Sequence, residues 1–255
     1  MLRTGRYGPV EFPRILVRSA TRRSGNLQVT APAPTLEIPF GRIGPALIRP
    51  MVLEEDTPLL HDWLNRDYAR FYGLQGQSLA QVRANFAAIL ARRNCEVLIG
   101  EVAATGERKF MFESYDIRSD RMSAYLDARH GDRGFHVFLG PPEPPLPAAA
   151  YYTLQGLSAW IFRDPGVQRL VCEPDVRNHK VLVRLAQAGF SFGRVIHMPH
   201  KTAILAYLSR ADFERTRGSP PPPAPVKPHL HGLRLRYHLG VSRVGRRLGL
   251  IACDW

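Results

Sequence analysis

The sequence predicts an α/β fold in which a mixed central sheet is flanked by helices, and three observations carry that expectation. Along the middle of the chain, short apolar runs of strand length alternate with longer segments whose apolar residues recur at helical spacing. Over residues 45–214 the order of elements reads β-α-α-β-β-β-α-β-α-β-β, which contains a β-α-β-α-β stretch that must cross over right-handed. The run "GSPPPPAPVKP", Gly218 to Pro228, then closes the folded region, because dense proline supports neither helix interior nor ladder pairing.

Each element has its own signal. "ALIRPMV" reads as a strand, and the following segment places Leu59, Leu60, Trp63 and Leu64 at helical spacing. A second helix runs through "SLAQVRANFAAILARRN", with Ser78 as its N-cap and Val82, Phe86, Ile89 and Leu90 on one face. "EVLIGEVA" and "KFMFESYDI" form strands joined through Thr105 and Gly106, a hairpin signal. A linking segment leads to the strand "FHVFLG". After a proline-rich loop, Ala150, Leu154, Leu157 and Ile161 mark a helix that stops at Asp164-Pro165-Gly166. "VQRLVCE" is the next strand. Asn178 caps a helix with Val181, Leu182, Leu185 and Ala186 inward, and Gly189 stands where a C-cap glycine should. "FSFGRVIHM" and "TAILAYLS" complete the sheet.

The chain of 255 residues divides into an N-terminal extension (1–44, partly strand-like in "RILVRSA" and "LQVTA"), a folded domain (45–214), and a proline-rich linker with a weakly ordered tail (215–255). Its net charge of +13 sits at the ends: residues 1–44 carry seven Arg against Glu11 and Glu37, and residues 219–255 carry Lys227 and five Arg against Asp254. The middle is nearly balanced, so no specific nucleic-acid surface is expected there. No apolar run reaches the roughly 18 residues of a membrane span, and no secretory signal is visible. Cys95, Cys172 and Cys253 lie far apart without a C-x-x-C pair, which fits idle thiols in a reducing cytoplasm. His197 and His200 in "HMPH" stand at i and i+3, on opposite sides of a strand, so no metal is expected.

The candidate chemistry rests on two phrases. In "GDRGFHVFLG" a lone His136 interrupts an apolar strand, and "VCEPDVRN" ends a second strand in an acidic turn that feeds a helix. Together with "FESY", "AGF" and "PHK", these phrases and the order of elements resemble the GNAT superfamily of acyl-CoA N-acyltransferases. Within it they look like the branch that makes hydroxamate siderophores, the aerobactin-, alcaligin- and mycobactin-type acyltransferases. The likeness covers roughly Pro45 to Leu208.

That resemblance implies direct transfer of a small acyl group, acetyl or succinyl, from acyl-CoA to an N-hydroxylated diamine or a lysine-type amine, with no metal cofactor. It implies that the backbone of Val137, Phe138 and Leu139 binds the pantetheine arm, and that Asn178 contacts the donor. It assigns His136 to orienting or deprotonating the nucleophile and Asp175 to fixing its tautomer or acting as base. The expectation is therefore that His136 and Asp175 meet in one site. Glu113 and Tyr125 are weaker candidates on the substrate side. An aminoglycoside or polyamine acetyltransferase, and a silent GNAT-fold binding module, are the competing readings. In one respect the chain departs from the family. Where a glycine-rich turn usually cradles the pyrophosphate, the sequence has "GPPEPPLPAAA", whose five prolines donate nothing. This leaves three outcomes: a reshaped CoA site served by the N–H groups of Ala148 to Ala150, an acyl carrier protein as donor, or lost activity. A siderophore synthetase is a further candidate partner.

Overall fold

A computed structural model describes residues 36–39, 45–141, 148–219 and 222. The strand-like pieces at 14–20 and 27–31, the basic tail from 229 onward, and most of the proline loop at 142–147 lie outside these residues. The described strands are β1 (Leu36–Pro39), β2 (Pro45–Pro50), β3 (Cys95–Val102), β4 (Arg108–Asp116), β5 (Asp132–Leu139), β6 (Arg169–Cys172), β7 (Ser191–Met198) and β8 (Lys201–Ser209). They form one sheet in the order β1-β2-β3-β4-β5-β6-β8-β7. Only β5 and β6 pair in parallel. The helices are α1 (Leu53–Leu64), α2 (Leu79–Leu90), α3 (Ala149–Ile161), α4 (His179–Gln187) and α5 (Arg210–Thr216). None of them is long and apolar enough to cross a membrane.

Strand alternation sorts the core into two layers. Val97, Ile99, Met111 and Phe138 face α1 and α2, packing on Leu60, Trp63, Leu64, Val82 and Phe86. Phe110 and Phe112 pack with Leu157 of α3 on the other face, and Phe135, Leu170 and Cys172 pack with Leu154 and Ile161 there. The expected caps form. Ser78 and Gln81 make a reciprocal capping box at α2. Asn178 accepts from the Val181 amide at α4. Gly189 (φ +94°) ends α4, with the Phe190 amide bonded back to the Leu185 carbonyl.

Two inward assignments shift. Leu90 and Val181 are each 37% exposed. At 100° per residue, Leu90 lies about 80° round the helix from Val82, and Val181 about 100° from Leu182, so both fall on the rim of their apolar stripe. The chain after residue 214 also begins in order: α5 continues to Thr216, and Gln187 donates to the Pro222 carbonyl at 2.7 Å.

What positions the site is the parting of β5 and β6. Their parallel register runs Asp132 with Arg169, Arg133 with Leu170 and Gly134 with Val171, and stops there. β5 continues for five residues beside β4 alone. The Gly140 amide donates to the Lys109 carbonyl at 2.7 Å, which makes that opposed pair a hydrogen-bonded one. By the alternation of an antiparallel ladder, the main-chain groups of Phe138 and His136 also face β4, whereas those of Val137 and Leu139 face the opening.

Candidate active site

The register of three neighbouring strands builds the site. Glu113 of β4 is the cross-strand partner of His136 of β5. The β5–β6 pairs are offset by 37 residues, and continuing that offset brings Glu173, just past the end of β6, level with His136. The side chains meet accordingly. His136 Nδ1 lies 3.1 Å from Glu113 Oε2, and its Nε2 lies 3.1 Å from Glu173 Oε1. Tyr72, from the segment between α1 and α2, donates its hydroxyl to Glu113 Oε1 at 2.8 Å. Lys201, at the start of β8, reaches Glu173 Oε1 at 3.3 Å. The Tyr115 ring lies beside the imidazole, with centroids 5.2 Å apart.

These contacts set the charges. Burial opposes a cationic imidazole, but the charge of Glu173 and the hydrogen bonds the ring donates to both carboxylates prevail and raise the His136 pKa to about 10. Burial likewise opposes the Glu173 carboxylate, and the nearby imidazolium and Lys201 lower its pKa to about 2. Glu113 is lowered for the same reason, with burial outweighed by His136 and Tyr72. At neutral pH the site is therefore a carboxylate–imidazolium–carboxylate chain closed by Lys201, with no net charge. The His136 side chain remains 34% exposed and so can be reached from outside. Burial pushes the Cys95 thiol up to about 11, aided by Glu113, and pushes Cys172 well above its ordinary value. Neither thiol supplies a thiolate nucleophile.

Phe138 closes one side of the site. Its ring stacks on Tyr68 at 5.7 Å, meets Tyr72 edge-on at 5.2 Å and tilts against Trp63 at 6.4 Å.

The sequence-based candidates distribute unevenly. His136 and Glu113 come together. Asp175 does not join them: its carboxylate accepts from the Arg177 amide at 2.8 Å, from Arg177 Nε at 2.9 Å and from Arg177 Nη2 at 2.7 Å. The expected His136–Asp175 contact is thus replaced by His136–Glu173, because Asp175 sits two residues beyond the level of the imidazole and is held by its own neighbour. The main chain of Phe138 faces β4, so it is Val137 and Leu139, without Phe138, that turn their backbone groups towards the opening. Tyr125 packs against the cluster of Tyr115, Ile117 and Met122, and its carbonyl accepts from Arg194. Asn178 serves as the α4 cap. His197 lies 3.3 Å from the Thr202 hydroxyl, and the described residues hold no group of three His, Cys, Asp or Glu side chains fit for a metal. Glu173, Tyr72 and Lys201 were not singled out from the sequence. No local signal in the sequence marks Glu173, because only the strand register brings it level with His136.

The domain model for the acetyltransferase (GNAT) domain matches residues 52–198. The chain belongs to the GNAT acetyltransferase family. Among relatives of this GNAT chain, a Schizosaccharomyces pombe protein provisionally named a lysine N-acyltransferase is 24% identical over 164 residues, covering 63% of this chain and 48% of that one. The chain thus spans about half the length of that relative. An N-hydroxyputrescine acetyltransferase of Acinetobacter baumannii is 23% identical over 172 residues, covering 67% of this chain and 81% of the relative. A solved aminoglycoside acetyltransferase with coenzyme A bound superposes with a TM-score of 0.60 at 23% identity, over 67% of this chain and 98% of that one. That likeness shows the fold.

Gly134 gives this GNAT site a stability test. A Cβ built there would lie 2.3 Å from the Tyr115 ring, which packs against the imidazole. Gly134→Ala is expected to lose about 1–3 kcal/mol through overpacking, read as a lower urea midpoint at an unchanged m-value.

Proposed function

We propose that the protein transfers a small acyl group, acetyl or succinyl, from acyl-CoA to an N-hydroxylated diamine or a lysine-type amine, and that the hydroxylamine is the preferred acceptor, giving a hydroxamate of the kind used in siderophores. The observation that carries this reading is the state of His136. Both of its ring nitrogens are taken by carboxylates, and it is cationic at neutral pH. A cationic imidazole accepts no proton. A lysine-like ammonium, with pKa about 10.4, would need a strong base before it could attack. A hydroxylamine is far less basic, is neutral at physiological pH, and needs chiefly to be oriented.

The donor would lie in the opening between β5 and β6, its pantetheine amides pairing with the outward main-chain groups of Val137 and Leu139 as a short added strand. An N–H on that strand edge would receive the charge that develops on the thioester oxygen. Among the described residues no side chain caps the start of α3 at Ala148, so the helix N-terminus is the fitting place for the pyrophosphate in the absence of a glycine-rich turn.

An aminoglycoside acceptor fits less well. Glu113 and Glu173 are offset by His136 and Lys201, which leaves no surplus negative charge to hold a polycation. The reading also follows the name of the A. baumannii relative.

The test is thiol release from acetyl- and succinyl-CoA with N-hydroxyputrescine, N-hydroxycadaverine, N-hydroxylysine, lysine, putrescine and kanamycin at pH 7.5. A kcat/KM at least ~10-fold higher for one hydroxylamine than for its parent amine supports the reading. Equal or better use of kanamycin or putrescine overturns it.

A further inference from the structure

We propose that Glu173 Oε2 is the atom that receives the proton of the attacking nitrogen. The inference rests on the acyltransfer reading above and names the catalytic residue within it.

Besides the Lys201 ammonium, four side chains with acidic or imidazole groups line or approach the site, and in three of them every nitrogen or oxygen already has a hydrogen-bond partner. His136 gives one ring nitrogen to Glu113 and the other to Glu173. Glu113 accepts from His136 with Oε2 and from the Tyr72 hydroxyl with Oε1. Asp175 has both oxygens on the Arg177 guanidinium. Glu173 differs: Oε1 accepts from His136 and Lys201, while Oε2 is buried and meets no hydrogen-bond donor among the described residues. The residue is 5% exposed. A buried anionic oxygen without a donor is destabilising, and folded proteins keep such an atom rarely. A donor brought by the acceptor substrate would satisfy it. The place is right for an acceptor, level with the partly exposed His136 at the point where β5 and β6 part.

The step balances. The nitrogen lone pair forms the N–C bond to the thioester carbon while the carbonyl π pair moves onto oxygen. The nitrogen, now cationic and strongly acidic, passes its proton to Glu173 Oε2. The carbonyl re-forms, the C–S bond breaks, and the electron pair leaves on sulfur. The thiolate, with a conjugate acid near ~8.5, takes the proton back from the carboxylic acid, a downhill transfer. CoA leaves as the thiol and Glu173 ends ionised. Glu173 needs no raised basicity in this sequence, because it acts after the N–C bond has formed.

The groups that face Glu173 are His136 of β5, Tyr115 of β4, Lys201 of β8, His200 of the turn before it and the adjacent Cys172. A neutral His136 acting as base would make kcat/KM climb steadily towards pH 10. Proton transfer to Glu173 leaves it level above the titration of the hydroxylamine itself, up to about pH 9.

The experiment compares wild type, Glu173→Gln and Glu173→Ala, using acetyl-CoA and N-hydroxyputrescine or whichever acceptor the wild type uses best. Glu173→Gln is expected to lose ~10²–10⁴-fold in kcat with the acetyl-CoA Kd within twofold of wild type. Added formate should restore at least ~10-fold of the turnover of Glu173→Ala, a response that a structural role would not give. Glu173→Gln within ~3-fold of wild type overturns the assignment, as does a wild-type kcat/KM that, with a hydroxylamine acceptor, rises tenfold per pH unit from 7 to 9. Should both variants fail to fold, that wild-type profile decides alone. Absence of wild-type turnover on every acceptor overturns the acyltransfer reading itself, a separate outcome.

Discussion

His136→Ala is expected to lower kcat/KM more than ~100-fold and to destabilise the fold at neutral pH. The imidazolium is what allows Glu113 and Glu173, both buried, to remain ionised on neighbouring strands. Its removal leaves two carboxylates facing each other across a void, with Tyr72 and Lys201 as their remaining side-chain partners among the described residues. Breaking a buried ion pair from one side costs roughly 3–5 kcal/mol, and the low end applies here because the imidazole is partly solvated. One carboxylate is then expected to take up a proton near neutrality. His136→Gln can still donate one hydrogen bond and should recover part of the stability while leaving activity low. Urea unfolding of the three proteins and thiol-release kinetics check both halves. Wild-type activity in His136→Ala would show that the imidazolium orders nothing the reaction needs.

The same chain of charges fixes how stability depends on pH. The folded-state pKa of His136 is raised to about 10. Its contribution is therefore complete below the unfolded value of about 6.5, and declines until it is gone once pH passes the folded value. Glu173 is lowered to about 2. Its contribution is complete above about 4.3 and is lost as pH falls through the folded value. The wild type is thus expected to lose stability between pH 7 and 10 more steeply than His136→Ala, whose curve should be flatter by one proton over that window. Parallel curves would mean that the imidazole titrates normally in the folded state.

How far the site was legible in the sequence depended on which distances are local. The helix caps at Ser78 and Asn178 and the C-cap at Gly189 follow from neighbours three or four residues apart, and the expected residues form them. The order of elements follows from apolar period, and so does the sheet. Glu173 was missed because its partner lies 37 residues away on another strand. Only the parallel offset makes them level, and a single sequence does not print a register. Two acids flank Pro174, and the choice between them turned on that offset. Tyr72 came from a connecting segment with no period at all, so nothing in its neighbourhood pointed towards Glu113. The rim positions Leu90 and Val181 show the converse limit, that a helical stripe says which way a residue faces but not where the sheet beneath it ends.

Asp56→Ala should be among the most destabilising single changes away from the site, at about 3–5 kcal/mol, equivalent to roughly 6–20 °C in Tm for a domain of this size. Asp56 is fully buried in the first turn of α1. Its carboxylate accepts two hydrogen bonds from Arg49 at 2.8 Å each and one from the Val52 amide at 2.8 Å, and it pairs with Arg108 Nε at 2.9 Å. It therefore ties the start of α1 to β2 and β4 at once. Removing it leaves two guanidinium groups against Glu101 alone. Burial works against the Asp56 charge, but the arginines and the amide hold its pKa below the usual carboxylate range. Its contribution is accordingly present above the unfolded pKa of about 3.9 and lost as pH falls through the lower folded value. Below that value the variant and the wild type should converge. α1 also carries Trp63, which packs on Phe138 of the site, so a loosened α1 should raise KM before it changes kcat. Equal melting temperatures at pH 7 would show that the buried network contributes nothing net. A fall in kcat at unchanged KM would break the link from α1 to substrate binding.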